Sequence, residues 1–207
     1  KELTADLAAG TVDDLYILGA NPVYDAPADL IFAEKILRAG FRAHLGLYAD
    51  ETARLCQWHV NAAHYLESWG DARAFDLTAS IVQPLIHPLY EGKTAIDVAA
   101  VLEGRPGVST HQIVRDYWKG QSGKGASQNW DKNLHDGIIA GTASAGENPE
   151  PLSSPDLKPT SRPAAKGMEI NFRPDPTVGT GETANNAWLQ ELPKSITRNT
   201  WENIAAI

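Results

Sequence analysis

Two short apolar runs, each ending in a glycine-containing or acidic loop, constrain this chain more than any other feature. Asp14 to Asn21 reads Asp-Leu-Tyr-Ile-Leu-Gly-Ala-Asn, and Ala43 to Tyr48 reads Ala-His-Leu-Gly-Leu-Tyr, closing on Asp50-Glu51-Thr52. Runs this short, bounded by turn residues, have the length of buried strands rather than helices. Between them Pro22 and Pro27 bound a turn. Ala28 to Leu37 then place Ile31, Phe32, Ile36 and Leu37 on one side of a helical wheel, with Gly40 as the C′ glycine that ends the helix. Strand, helix and strand within about 35 residues is the spacing of a βαβ crossover, which implies parallel strands with helices covering the sheet. The expected fold is α/β: a three-layer, Rossmann-like domain with a largely parallel sheet.

The pattern continues with a helix from Asp50 or Glu51 through Trp58 and a short third strand from His59 to Ala62. Ile81 to Leu89 holds two prolines, which suits an edge or a surface-crossing segment. Thr94 reads as the N-cap of a helix through Leu102 with Ile96, Val98, Ala99 and Leu102 as its buried stripe. Ser109 or Thr110 opens another helix carrying Ile113, Val114, Tyr117 and Trp118, and a further one spans Ala126 to Ile139 through Trp130, Leu134 and Ile138. Gly141 to Gly167 is built from Gly, Ser, Pro, Ala and Glu and reads as a flexible linker. Beyond it Met168 to Arg173 alternates like a strand, and Ala184 to Ile207 carries Trp188, Leu189, Leu192, Ile196, Trp201 and Ile204 without clear periodicity. Such a segment is too short for its own core, so it either docks on the first domain or opens a second one cut short. The expected organisation is a domain over 1–140, a linker over 141–167 and the start of a truncated second domain over 168–207.

Composition narrows the function. A chain of 207 residues with a formal charge of −8 and no cluster of Lys or Arg lacks what a phosphate backbone requires. No apolar run approaches the roughly 18 residues of a membrane span. A single cysteine, Cys56, excludes an internal disulfide and any thiolate-held iron–sulfur or Cys-rich zinc site built from this chain alone. The chain opens at Lys1 without a basic-then-apolar leader or twin arginine, which leaves open whether a targeting segment ever preceded it.

In an open parallel sheet, ligands sit at the carboxyl ends of the strands. Gly19-Ala20-Asn21-Pro22 and Asp50-Glu51-Thr52 are those ends. Glycine lets backbone approach a ligand, the Asn21 amide suits bracing the loop or reading a base, and Asp50 suits accepting from a ribose hydroxyl. The same residues also read as an ordinary turn before Pro22. The Gly-x-Gly-x-x-Gly fingerprint of nicotinamide sites is missing from the first turn. Cys56, His59 and His64 have ligand chemistry, but their spacing crosses a helix-to-strand junction, and packing and hydrogen bonding are the simpler reading. Glu67 and Asp71 suit either an acid/base pair or caps and salt bridges. There is no Ser/His/Asp spacing, Walker loop or HExxH.

In order, Leu15 to Asp29 (Leu-Tyr-Ile-Leu-Gly-Ala-Asn-Pro-Val-Tyr-Asp-Ala-Pro-Ala-Asp), Asp50-Glu-Thr-Ala53, Ala63 to Asp71 (Ala-His-Tyr-Leu-Glu-Ser-Trp-Gly-Asp) and Ile81-Val-Gln-Pro84 resemble a domain of the molybdopterin oxidoreductase superfamily. Within it, His64 to Asp71 and Asn185 to Pro193 look most like the large iron–sulfur, molybdopterin-like subunit of alternative complex III, a bacterial quinol-oxidising membrane complex. The resemblance implies that Gly19, Asn21, Asp50, Glu51 and Thr52 are the cofactor-facing positions and that this segment supplies neither catalytic residues nor metal ligands. It implies a larger parent with iron–sulfur clusters held elsewhere, whose partners are its own remaining domains and the other subunits of a membrane-bound complex. The implied location is the periplasmic side of a bacterial inner membrane, with the cytoplasm as the other option. Two roles follow from it: a scaffold that catalyses nothing alone, or a domain holding the nucleotide half of a molybdopterin guanine dinucleotide in an active oxidoreductase. Where many members read Ala-Asp-x-Val-Leu-Pro, this chain has Cys56-Gln-Trp-His-Val-Asn61. The subunit it most resembles is thought to keep the fold without a molybdenum cofactor.

Overall fold

A computed structural model describes residues 1–121, 130–146, 167–168, 172–181 and 183–201. The start of the expected helix at Ala126, most of the expected linker, the centre of the expected strand at 169–171 and Ile204 lie outside them. The chain divides into two compact units, Lys1–Ala145 and Gly146–Ile207.

The first unit opens with α1 (Glu2–Ala9), which ends on Gly10 in the left-handed conformation, its amide and that of Thr11 capping the Leu7 and Asp6 carbonyls. The strand β1 (Asp14–Leu18) follows, then α2 (Pro22–Asp25), α3 (Phe32–Lys35) and β2 (Phe41–Gly46). After them come α4 (Glu51–Arg54) and β3 (Trp58–Asn61). The three strands form one parallel sheet in the order β1-β2-β3, which makes this an α/β, Rossmann-like fold.

The first crossover is more broken than the helical wheel implies. Ile31 lies in the left-handed region at φ 48°, so the expected helix over 28–37 resolves into a 3-10 turn (Ala28–Leu30), α3 and a second 3-10 turn (Ile36–Arg38). The apolar spacing still works: Phe32, Ile36 and Ala39 are buried with Leu7 and Ile17, while Ile31 and Leu37 are half exposed. Gly40 is not the left-handed cap expected of it. The Asp13 carbonyl oxygen would lie 3.0 Å from a Cβ at that position, so glycine there admits the passing backbone. The expected helix through Trp58 stops at Arg54, because Trp58 already belongs to β3, paired with Ala43.

Both crossovers step across the sheet in the same direction, so right-handed connections put their helices on the same face. On the opposite face Tyr16, Leu18 and Val60 look across an open apolar trough of about 360 Å³ at Val98, Val101 and Leu102 of α5 (Ala95–Leu102). Thr94 caps α5 as expected, in a reciprocal box with Asp97. The expected stripe does not hold: Ala100 is buried, Ile96 and Val98 are half-buried, and Ala99 and Leu102 are exposed. The helix lies beside the trough rather than sealed under a further layer.

A second cluster completes this unit. The antiparallel pair β4 (Gly70–Arg73) and β5 (Ala79–Val82) packs Ala79 and Ile81 against Val114 and Trp118 of α6 (Thr110–Gly120) and against Ile139. Ile81 thus lies in an edge strand that ends before Pro84. Ser109 caps α6, Tyr117 is half exposed, and beyond α7 (Trp130–Asp136) it is Ile139 rather than Ile138 that is fully buried, held by its amide to the Ala79 carbonyl. In the second unit, α8 (Ala187–Glu191) is capped by Asn186, and Phe172 to Pro174 are irregular. Trp188 and Ile196, expected to pack, are 83% and 90% exposed.

Candidate functional site

The loops after β1 and β2 meet at the carboxyl edge of the sheet, and the structure brings Gly19, Asn21, Asp50, Glu51 and Thr52 together there. Gly19 takes φ 66°, a turn that favours glycine, and its amide donates to the Leu45 carbonyl at 2.8 Å. Asn21 uses both ends of its amide across the loops. Its Nδ2 donates to Glu51 Oε2 at 2.8 Å, and its Oδ1 accepts from Thr52 Oγ1 at 2.7 Å and from the Thr52 amide at 3.3 Å. The Thr52 hydroxyl, fully buried, also accepts from the Val23 amide at 3.1 Å. Asp50 is the N-cap of α4, its Oδ1 accepting from the Ala53 amide at 2.9 Å.

Electrostatically this edge is acidic. Glu51 is exposed, and the Asn21 amide holds its carboxyl below the usual carboxylate range, with its own backbone and the more distant Arg54 adding to the effect. The helices that begin here, α2 and α4, are single turns. Exposed carboxylates favour hydrogen-bond donors over phosphate.

Beneath the loops lies a pair that sequence reasoning missed. His44 and His59 are register partners on adjacent parallel strands, so both project from the same face. Their rings stack at 5.2 Å between centroids, and their Nδ1 atoms lie 3.1 Å apart. His44 is 1% exposed; its Nε2 sits 3.1 Å from the Ala20 carbonyl oxygen and 3.8 Å from Asp50 Oδ2. Gly46 makes room for it, since a Cβ there would fall 2.4 Å from His44 Cε1. Burial first, and the neighbouring His44 second, lower the pKa of His59, against an opposing pull from Asp50. The available signal was positional: each histidine stands two residues before the end of its strand.

The other candidates have structural roles. His64 accepts from the Leu66 amide while Glu67 accepts from the His64 amide, a reciprocal cap of a 3-10 turn. Asp71 accepts from the indole of the buried Trp118 at 2.9 Å. Cys56 packs at the margin of the Leu7 cluster, and burial pushes its thiol up, away from the reactive thiolate. Among the described residues no three His, Cys, Asp or Glu side chains converge as metal ligands, and no helix is long and apolar enough to cross a membrane.

No family model matches the chain, and no curated protein matches it. Among solved structures it is similar to the acetylene hydratase of Pelobacter acetylenicus, at 20% identity and a TM-score of 0.41, over 50% of this chain and 15% of that one. A likeness of this size carries no functional argument.

Proposed function

We propose that this chain is a scaffold segment of a molybdopterin-oxidoreductase-like iron–sulfur subunit in a quinol-oxidising membrane complex, catalysing nothing by itself. The sequence blocks around Leu15–Asp29, Asp50–Ala53 and Ala63–Asp71 motivate the family. The observation that carries the scaffold role is the self-satisfied edge: Asn21, Thr52 and Asp50 direct their polar groups at one another and at the loop backbone, and the Gly19 amide is bound to Leu45. A cofactor edge needs donors and acceptors aimed outward. This one clamps two βα loops together. In this reading the partners are the remaining domains of the parent and its companion subunits, on the periplasmic side of the membrane.

The second reading, a hold on the nucleotide half of a molybdopterin guanine dinucleotide, is favoured by the exposed, ionised Glu51 carboxylate at the ligand end of the sheet. Metal and pterin analysis of the whole protein, purified natively with its partners, separates the two. Iron without molybdenum, tungsten or pterin is the expected result, together with no guanine-nucleotide binding by calorimetry. Stoichiometric molybdenum or tungsten with pterin would replace the scaffold reading with the second.

A further inference from the structure

We propose that His44 and His59 form a hydrogen-bonded dyad of fixed tautomers that anchors the first ligand-end loop through the Ala20 carbonyl and makes the fold less stable on acidification. The argument starts from what each atom is able to do. A carbonyl oxygen only accepts, so the His44 nitrogen facing Ala20, Nε2, carries a hydrogen. Neutral His44 therefore has a bare Nδ1, which accepts. The atom opposite it at 3.1 Å, His59 Nδ1, must then be the donor. One tautomer of each ring is thereby specified, and the chain Ala20 O, His44, His59 runs from the first loop across β2 to β3.

The same logic sets how the pair takes up protons. The open lone pair is His59 Nε2, on the less buried ring. One proton enters there without breaking either hydrogen bond. The groups that bear on the pair are the Asp50 carboxylate from the N-terminus of α4, which favours the cation, and Arg42 on the same face of β2. Arg42 is held away by the Leu55, Ala39 and Leu37 carbonyls. The Cys56 thiol, kept neutral by burial, follows α4, and the first loop contributes the Ala20 carbonyl.

The sign follows. His59 has a lowered pKa in the folded chain against an ordinary value of 6.5, so the unfolded chain binds more protons in the window below that value. Stability is complete above it and falls as the pH drops through it towards the folded value.

Two measurements on the full chain test the dyad. In the wild type labelled with 15N, NMR should show His44 protonated at Nε2, His59 protonated at Nδ1, and a scalar coupling between the two Nδ1 nuclei at neutral pH. Absence of the coupling, or the opposite His44 tautomer, overturns the proposal. Urea midpoints between pH 7.5 and 5 should fall for the wild type and flatten for His59→Asn, whose amide donates to His44 but does not titrate. The His59 ring shifts should titrate in the wild type while the backbone amides of Gly19, Ala20, Asn21 and Val23 hold still, because a proton at His59 Nε2 leaves both hydrogen bonds in place. A wild-type slope unchanged in His59→Asn would equally overturn it.

Discussion

At the scale of single residues, Asn21 is the hinge on which the candidate site turns. Replacing it with alanine removes the acceptor of the buried Thr52 hydroxyl and the donor to Glu51 together. Asn21→Ala should cost about 1–3 kcal/mol in urea unfolding, the usual penalty when a buried polar group loses its partner. The same substitution should let the Glu51 carboxyl titrate closer to its ordinary value, read by NMR. Gly46→Ala tests the other half of the edge. Its new methyl would meet the His44 ring, and overpacking of this kind costs about 1–3 kcal/mol. The expected signature is specific: the coupling between His44 and His59 disappears, while the Trp118 cluster keeps its native near-ultraviolet dichroism. The position of Gly19, Asn21 and Asp50–Thr52 at the strand ends was legible in the sequence because those ends are marked by where apolar runs stop. That these residues would bind one another was not legible, since cross-loop partners depend on how two turns separated by about thirty residues meet. His44 was hidden for the same reason: inside an apolar run it reads as an interruption, and only register reveals its partner.

Elements were read best where local chemistry decides them. The cap at Thr94 is such a case, because Thr and Asp three residues apart satisfy each other's orphan groups whatever lies nearby. Thr94→Ala should therefore lower stability by about 1 kcal/mol, with a drop in helical dichroism at 222 nm, and leave the His44–His59 coupling intact. Elements whose boundaries depend on competition were misjudged. The helix expected through Trp58 ends at Arg54 since pairing with β2 draws Trp58 into the sheet. The helix over 28–37 breaks at Ile31, where three short turns together carry Phe32, Ile36 and Ala39 to the core. Helix α1 escaped notice because its weakly apolar text, with Thr4 and Leu7 alone buried, has no stripe to detect.

The first unit is organised around an asymmetry. Parallel sheets are ordinarily covered on both faces, yet here the crossover helices lie on one face and the other opens onto the trough beside α5. Trp58, on that open face, is 63% exposed. A scaffold segment of a larger subunit would present such a face to the rest of its parent, whereas a self-contained module would close it. The difference is measurable at Trp58. In this chain alone, the component of tryptophan fluorescence removed by Trp58→Phe should emit at long wavelength and be readily quenched by acrylamide. In the whole parent the same component should shift to shorter wavelength and resist the quencher. An identical, fully quenchable Trp58 signal in both would mean that the face stays open in the parent. The trough would then be a surface that the scaffold reading leaves unexplained, because a broad apolar area of the sheet would have no structural purpose in the assembly.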